Sequence, residues 1–322
     1  MLESKLERLR TVHSSMKGEL QRVIVGQEDV LDELLLAILT RGHCLLVGVP
    51  GLAKTLMISS LAKTMDLSFN RIQFTPDLMP SDVTGHSMYN TTTGAFSVRK
   101  GPVFANLLLA DEINRAPAKT QAALLEVMQE QQVTIEGEAF SLSPPFMTLA
   151  TQNPIEMEGT YPLPEAQLDR FLLKISIAYP DQTDEVAIVS QVCSGRIGDG
   201  LDVSAIQPVV SPEAAVALQR RAAAVQVEER VVAYAVRIVR ATRAHSGIAV
   251  GAGPRGAIAL VRAGRAAALL DGRDFTTPDD IKSVSLPALR HRILLAPELE
   301  IEGMQTDDVL REILAAVEAP RS

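Results

Sequence analysis

The stretch at residues 44–55, CLLVGVPGLAKT, decides the fold. Its first part, residues 44–47, is a run of apolar residues that predicts a buried strand. Gly48 and Gly51 then interrupt the run, and a helical pattern begins at Lys54. Glycines let the backbone wrap closely around a ligand, so that several N–H groups at a helix N-terminus converge on phosphate oxygens. The segment therefore predicts a phosphate-binding loop between a strand and a helix.

The chemistry of this loop assigns roles to its residues. Lys54 is expected to contact the β- and γ-phosphates of a nucleotide, and the Thr55 hydroxyl to join the coordination shell of Mg²⁺. Ala53 stands where the common pattern has glycine, and its methyl group is tolerable if φ stays negative. An ordinary Gly-Pro turn before a helix is the alternative. The predicted nucleotide-contacting residues of the loop are Gly48, Val49, Pro50, Gly51, Leu52, Ala53, Lys54 and Thr55.

Polar residues end two further apolar runs. Residues 106–110 are followed by the adjacent carboxylates Asp111 and Glu112. Ligands of parallel sheets lie at the carboxyl ends of the strands, so Asp111 is expected to hold Mg²⁺ and Glu112 to polarise the attacking water. Alone, such a pair also fits a solvated strand end. Asn153 is predicted to touch the water and the γ-phosphate, although Asn-Pro also suits a turn.

Short apolar runs alternate with helical stretches along the first part of the chain. Continuous apolar runs are typical of parallel strands covered by helices on both faces, so the predicted fold class is α/β, an αβα sandwich. Strands are predicted at residues 43–48, 69–74, 106–111, 146–151 and 172–178, and hairpins near 84–101 and 133–142. The predicted domains are an α/β core at 1–192 with an N-terminal helix, a linker at 193–210 and a small all-α domain at 211–322.

Composition narrows the classes of function. The 322 residues carry a net charge of −8, which argues against a duplex-binding surface and makes nucleic acid a poor candidate partner. Cys44 and Cys193 lie far apart, which favours a reducing compartment, and a cytoplasmic protein is expected. No apolar run approaches the roughly 20 residues that span a bilayer. The scattered histidines lack metal-ligand spacing, which argues against a transition-metal site.

Five segments taken together resemble the MoxR family of AAA+ ATPases. They are VGVPGLAKT at 47–55, LLADEINRAP at 108–117, ATQNPIE at 150–156, EGTYPLPEAQLDRF at 158–171 and LRHRI at 289–293. The resemblance runs from about residue 23 to residue 292. It implies a P-loop NTPase sandwich with a five-stranded parallel sheet in the order 5-1-4-3-2, followed by a helical lid. As in the related magnesium-chelatase ATPase subunits, it also implies an insert in helix 2 and a hairpin before the first sensor, where the two hairpins are predicted.

The resemblance also assigns functional residues. Asn153 resembles sensor 1, and Arg170 resembles the arginine finger that reaches the nucleotide of the neighbouring subunit. Arg255 resembles sensor 2, acting either in its own subunit or in the next one. A surface salt bridge is the alternative for both arginines, and Arg115 is a further candidate to cross the interface. The segment that lines the adenine is expected to be Val25, Gly26 and Gln27.

The function that the resemblance implies is Mg²⁺-dependent ATP hydrolysis in a homo-oligomeric ring, a hexamer with composite active sites. The work would be chaperone-like remodelling or activation of a client protein, often one with a von Willebrand factor A domain. A nucleic-acid-dependent AAA+ motor is the alternative, because helicase relatives share the insert-bearing core, and the acidic composition argues against it. A nucleotide-gated scaffold without turnover is a third possibility, which the presence of Glu112 argues against.

Overall fold

The protein is described here by a computed structural model that covers residues 2–92, 94–154, 159–193 and 203–320. The helices are α1 (Leu2–Gln21), α2 (Glu28–Leu39), α3 (Lys54–Thr64), α4 (Pro80–Thr84), α5 (Ala118–Glu130), α6 (Glu165–Leu168), α7 (Gln182–Cys193), α8 (Pro212–Ala223), α9 (Glu229–Ala244), α10 (Pro254–Leu270), α11 (Pro278–Ser283), α12 (Ser285–Leu289), α13 (Pro297–Ile301) and α14 (Thr306–Ala316). The strands are β1 (Cys44–Val47), β2 (Phe69–Gln73), β3 (Gly85–Asn90), β4 (Ala95–Lys100), β5 (Leu107–Asp111), β6 (Gln132–Ile135), β7 (Glu138–Ser141), β8 (Met147–Gln152), β9 (Leu173–Ser176), β10 (Ile248–Val250) and β11 (Leu294–Leu295).

A five-stranded parallel sheet forms the centre of the molecule, with the strand order β2-β5-β8-β1-β9. Numbered along the chain, its strands read 2-3-4-1-5, which is the expected order 5-1-4-3-2 in reverse. The predicted strands are confirmed, with bounds that shift by one or two residues. Cys44 pairs with both Leu149 and Leu173, so β1, β8 and β9 are in step and their carboxyl ends meet at one edge.

Apolar side chains cover both faces of the sheet. Along β5, Leu107 and Leu109 join one buried cluster, while Leu108 and Ala110 join a second cluster on the opposite face. This alternation follows from the two-residue period of a strand. Helices α2 and α3 contribute to the first cluster and α5 to the second. The sheet is therefore enclosed on both sides, as the αβα prediction requires.

The C-terminal part, from α8 to α14, is helical and shares the first apolar cluster with the core. One correction applies to its predicted all-α character: β10 and β11 form a short antiparallel pair. Strands of two or three residues are too short to produce a readable alternation, so the sequence pattern did not reveal them. The predicted domain boundaries stay predictions, and much of the predicted linker (residues 194–202) lies outside the described residues.

Two antiparallel hairpins are inserted between elements of the core, at the predicted positions. The first consists of β3 and β4, and the second of β6 and β7. The first hairpin exposes Tyr89 and Phe96, whose rings pack against each other with centroids 5.1 Å apart. Among the described residues, none of the helices has the length and apolar character that crossing a bilayer requires.

Candidate functional site

The loop between β1 and α3 is held close to the end of β9. A Cβ atom at Gly48 would lie 2.8 Å from the carbonyl oxygen of Ile177, so this position requires glycine. Gly51 adopts φ 87°, a region in which glycine carries no steric penalty. The Nζ of Lys54 turns back and donates to the Gly48 carbonyl oxygen. The loop therefore folds back on itself at the carboxyl ends of the sheet strands.

Ala53 corrects one expectation about this loop. Its φ is +53°, so the backbone is left-handed at the residue that precedes α3, whereas tolerance of the methyl group was predicted on the condition of negative φ. Alanine in this region costs roughly 1 to 2 kcal/mol relative to a right-handed conformation. The loop keeps its turn despite the missing glycine, and the strain is borne by the backbone at Ala53.

Lys54 lies in the electrostatic field of both strand-end acids. Burial lowers its pKa, and the negative charges of Asp111 and Glu112 act against that shift. Asp111 is the last residue of β5, which is separated from β1 only by β8. The phosphate-loop lysine and the two carboxylates therefore belong to one site.

Thr151 connects the two acids. Its hydroxyl donates to Oδ1 of Asp111 at 2.6 Å and accepts from the backbone N–H of Glu112 at 2.8 Å. Glu112 has φ 55° and begins the 3-10 turn Ile113–Arg115. A left-handed conformation costs a non-glycine residue roughly 1 kcal/mol or more. The Thr151 contact therefore helps to hold a backbone turn that Glu112 alone disfavours.

Polar side chains on β2 reach the outer oxygens of the same acids. Arg71 donates to Oδ2 of Asp111 from Nη2 at 2.6 Å and from Nε at 3.1 Å, and to Oε1 of Gln73 at 2.9 Å. Gln73 in turn donates to Oε2 of Glu112 at 2.7 Å. The Nε of Arg115 lies 3.1 Å from that same oxygen. Arg115, a candidate to cross an interface, thus contacts Glu112 of its own chain.

Asn153 and the segment at residues 25–27 lie at the same edge of the sheet. Asn153 is buried and directly follows β8, which is paired on either side with β1 and β5. The side chain of Gln27 donates to the carbonyl oxygen of Ala178 at 2.9 Å. Ala178 follows Ile177, which packs on Gly48. The predicted sensor and the predicted adenine-lining segment therefore flank the loop.

The two predicted site arginines lie at the other end of the sheet. Arg170 precedes β9, whose first residue, Leu173, pairs with Cys44 at the start of β1. The four-residue strand β1 separates this end from Gly48, which corresponds to roughly 13 Å along the sheet. Arg170 donates to the Leu125 carbonyl oxygen at 3.2 Å. It is thus far from the phosphate loop of its own chain.

Arg255 joins Arg170 at that end through Asp169. Nη1 of Arg255 lies 3.5 Å from Oδ2 of Asp169, and more than half of the Arg255 side chain is exposed. Arg292, which is almost fully buried, holds the other oxygen of Asp169 at 2.8 Å and donates to the Phe171 carbonyl oxygen at 2.6 Å. Residues of the lid therefore position the segment that carries Arg170.

Two protein-family models and several known proteins are similar to this chain. Residues 43–173 match the model of the ATPase family associated with various cellular activities (AAA), and residues 240–313 match that of the AAA lid domain. Chaperone MoxR1 of Mycobacterium tuberculosis H37Rv is 43% identical over 312 residues, covering 94% of this chain and 81% of that protein. Protein MoxR of Methylorubrum extorquens is 31% identical over 342 residues, covering 97% and 96%. The chain belongs to the MoxR family of AAA+ ATPases.

Two further chains are similar over nearly their whole length. Protein YeaC of Bacillus subtilis 168 is 46% identical over 301 residues, covering 94% of this chain and 92% of that protein. The crystal structure of a candidate ATPase from Cytophaga hutchinsonii is 44% identical, with a TM-score of 0.90, and the match covers 99% of this chain and 98% of the other. As a member of the MoxR family, this chain is an ATPase and binds a nucleotide.

Sequence reasoning missed several residues of this MoxR site. Thr151 was quoted within a motif but given no role, although a polar residue near the end of an apolar strand was a usable signal. Arg71 and Gln73 gave no signal, because their contacts depend on the pairing of β2 with β5. Arg292 was likewise quoted without a role, and its contact with Asp169 joins residues 123 positions apart.

Proposed function

We propose that this chain hydrolyses Mg·ATP at sites shared between neighbouring subunits of a ring, a hexamer by family resemblance, and thereby remodels or activates a client protein. The observation that carries the proposal is the separation of two half-sites on one chain. Lys54 and the strand-end acids lie at the carboxyl end of the sheet, and Arg170 and Arg255 lie together at the amino end. A complete site then needs one half from each of two chains.

The half-site at the carboxyl end supports nucleotide binding. The backbone N–H groups of residues 48–55, with Lys54, bind the phosphates, and residues 25–27 line the base. Glu112 orients and deprotonates the attacking water; Gln73 holds its carboxylate, and Thr151 holds its backbone N–H. Asn153 contacts the γ-phosphate and the water from the neighbouring strand.

The oxygen atoms of Thr55 and Asp111 fit a magnesium ion. Hydroxyl and carboxylate oxygens are the donors that Mg²⁺ prefers, and it is usually held by one or two protein groups together with substrate phosphates. No cluster of three or more His, Cys, Asp or Glu suited to a metal exists among the described residues, which agrees with binding completed by the nucleotide. When bound, Mg²⁺ neutralises the phosphate charge that develops during transfer.

The arginine half-site supports catalysis across the interface. Guanidinium groups supplied by a neighbour stabilise transition-state charge on the γ-phosphate. Arg255, half-exposed at the start of α10, is placed beside Arg170, which favours action on the nucleotide of the neighbouring subunit. Loss of the γ-phosphate removes the contacts of Asn153 and Arg255, so each nucleotide state binds the lid differently. This difference in contacts between the two nucleotide states drives rotation of the lid relative to the core.

The client is a protein in this proposal. One relative is named a chaperone, and the β3–β4 hairpin offers an exposed apolar surface in Tyr89 and Phe96, which are 55% and 74% exposed. A client with a von Willebrand factor A domain is the family expectation. We place this work in the cytoplasm, where Cys44 and Cys193, both free, would stay reduced.

Subunit mixing tests the shared site. Lys54→Ala removes the nucleotide half and Arg170→Ala removes the arginine half, so each variant alone is expected to lose at least about 100-fold in ATPase rate. An equimolar mixture should recover about a quarter of the wild-type rate, because a quarter of random interfaces combine two intact halves. Arg99→Ala, on the exposed hairpin, is the matched control and should keep full activity. A mixture as inactive as its components would refute the shared site.

Affinity capture tests the client. Glu112→Gln should bind Mg·ATP without hydrolysing it and hold the client in the ATP state. A second substitution, Phe96→Ser, is expected to abolish capture while leaving nucleotide affinity unchanged. If capture of one reproducible protein survived the loss of Phe96, the hairpin would not be the contact surface.

A further inference from the structure

The described side chains of helix α7 are largely exposed. Val186 and Val189 are 61% and 60% exposed, and Cys193 is also exposed. These residues follow the i, i+3, i+7 spacing and therefore form one apolar stripe along the helix. A stripe of this kind on a helix with few contacts of its own marks a surface that another element covers.

Acidic residues surround the beginning of that stripe. Asp181 immediately precedes α7, and Asp184 and Glu185 occupy its first turn. Glu185 is exposed, whereas Asp184 is partly covered, because it packs on Gly26. The exposed face of α7 therefore combines negative charge at its start with apolar side chains farther along.

The lid carries an apolar groove whose charged residues are positive, opposite in sign to those of α7. The apolar floor between α9 and α10 includes Val232, Val236 and Ile258, which are 39%, 40% and 57% exposed. The polar residues that line it are Arg240, Arg243, Arg262 and Arg265. The Nε of Arg265 is buried without a hydrogen-bond partner, and no acidic residue of the described chain lines the groove. This groove, the α9–α10 groove, fits an apolar helix with an acidic end.

The positions of the two surfaces match the ring that is proposed above. Arg255, Ile258, Arg262 and Arg265 follow the i, i+3, i+7, i+10 spacing, so the groove continues the face of α10 that carries Arg255. At the other half-site, α7 starts next to Gly26, in the segment expected to line the adenine. When Arg255 approaches the nucleotide of the next subunit, the α9–α10 groove therefore comes close to α7 of that subunit.

We propose that α7 of one subunit docks into the α9–α10 groove of the next subunit, with valines on the apolar floor and acids against the arginine rim. The proposal rests on the proposed function, because only a ring with shared sites brings these surfaces together. The contact is heterologous, since the helix and the groove are different surfaces of the same chain. It couples the nucleotide of one subunit to the lid of its neighbour, because α7 packs on the nucleotide-lining segment.

Two substitutions at exposed positions test the contact without replacing a catalytic residue. Val189→Asp places a charge on the helix stripe, and Ile258→Asp places one on the groove floor. In sedimentation velocity with Mg²⁺ and a slowly hydrolysed ATP analogue, each variant alone should dissociate to monomers, with subunit affinity weakened by at least about 30-fold. Each monomer should still bind Mg·ATP as the wild type does. Ile301→Asp, on an 86% exposed lid residue outside the groove, is the matched control and should assemble normally.

Mixing the two variants identifies the partner surface. The groove of the Val189→Asp chain and the α7 of the Ile258→Asp chain are both intact, so an equimolar mixture should form dimers and stop there. Dimers absent from the mixture would overturn the proposal, because the two surfaces would not meet. Normal rings from either variant alone would also overturn it, and rings of Ile258→Asp that lost client capture would assign the groove to the client. A wild-type chain that bound no Mg·ATP would instead refute the proposed function itself.

Discussion

At the scale of single residues, Thr151 is placed to organise the chemistry, because one hydroxyl serves both acids. Replacing it with valine keeps the shape and removes the hydrogen bonds to Asp111 and to the Glu112 backbone. We expect Thr151→Val to lower the ATPase turnover number by at least about tenfold, because the Asp111 carboxylate and the backbone turn that places Glu112 lose their alignment. Nucleotide affinity should change little, since no phosphate contact is removed. Steady-state kinetics and calorimetric titration measure the two effects separately.

The same strand provides the control for this prediction. Thr148, also on β8, is fully buried, and its hydroxyl has no hydrogen-bond partner. Thr148→Val should therefore leave turnover unchanged and leave stability equal or slightly higher, because a buried unsatisfied hydroxyl is removed. Equal losses in the two variants would show that burial of a threonine on β8, and not the contact with the acids, is what matters.

Ala53 provides a second prediction at this scale. Ala53→Gly relieves the left-handed strain of roughly 1 to 2 kcal/mol, and the greater freedom of glycine in the unfolded chain offsets about half of that. A net gain of about 0.5 kcal/mol is expected, which for a chain of this length corresponds to a rise of slightly under about one degree in Tm. Ala53→Val should fall below the wild type, because a β-branched side chain fits this region worst. Differential scanning calorimetry gives the order, and Val above Ala would contradict it.

The strand-end acids were predictable from the sequence, but the contacts that hold their side chains in place were not. Asp111 and Glu112 were recognisable because an apolar strand that ends in carboxylates is a local pattern. Thr151 lies 40 positions from Asp111, and so does Arg71 on the other side, so their contacts depend on which strands pair and in which register. The backbone angle of Ala53 is equally invisible in a residue pattern, so the sequence could not show that the condition of negative φ is not met.

At the scale of elements, Glu33 belongs to α2, the helix that packs against β9 and the lid. Burial raises the pKa of Glu33 to about 7, and Asp29 and Asp307 add to the rise while Arg290 opposes it. Because the folded protein keeps this proton where the unfolded chain has lost it, the contribution to stability is present at low pH. It is lost as the pH rises through about 7.

Glu33→Gln should therefore stabilise the protein at pH 8 by roughly 2 kcal/mol and have almost no effect near pH 4.5. The neutral amide removes the cost of holding a buried carboxylate without its proton. Thermal unfolding of variant and wild type across this range measures the difference. Glu300→Gln, at an exposed site on α13, should show no such pH dependence. A stabilisation that stayed constant from pH 4.5 to 8 would contradict the titration of Glu33.

The elements of the core were predictable because each is long enough to display its period. The five sheet strands and the two hairpins have apolar runs or turn residues within a few positions of one another. The pair β10–β11 was missed because its strands are very short and its paired residues, Ile248 with Leu295 and Val250 with Leu294, are 47 and 44 positions apart. A local sequence pattern records no contact across that distance.

At the scale of the whole molecule, one parallel sheet presents two unlike ends. The carboxyl end gathers the loop and the acids, and the amino end gathers the arginines that Arg292 of the lid helps to position through Asp169. Because all strands of the sheet run in the same direction, these ends cannot meet within one chain. In the proposed head-to-tail ring, the amino end of one sheet faces the carboxyl end of the next.

The charge distribution over the whole chain bears on whether the client is a protein or a nucleic acid. The net charge is −8, yet the α9–α10 groove concentrates arginines, so the overall charge alone does not decide. Apart from its arginines the lining of this groove is aliphatic and contains no aromatic residue on which bases could stack, whereas proteins that bind single strands combine a basic groove with aromatic stacking worth about 1–3 kcal/mol per base. Single-stranded DNA or RNA should therefore leave the ATPase rate unchanged at about 150 mM salt. Stimulation that persisted at that salt concentration and disappeared in Arg240→Ala would identify a nucleic-acid motor instead.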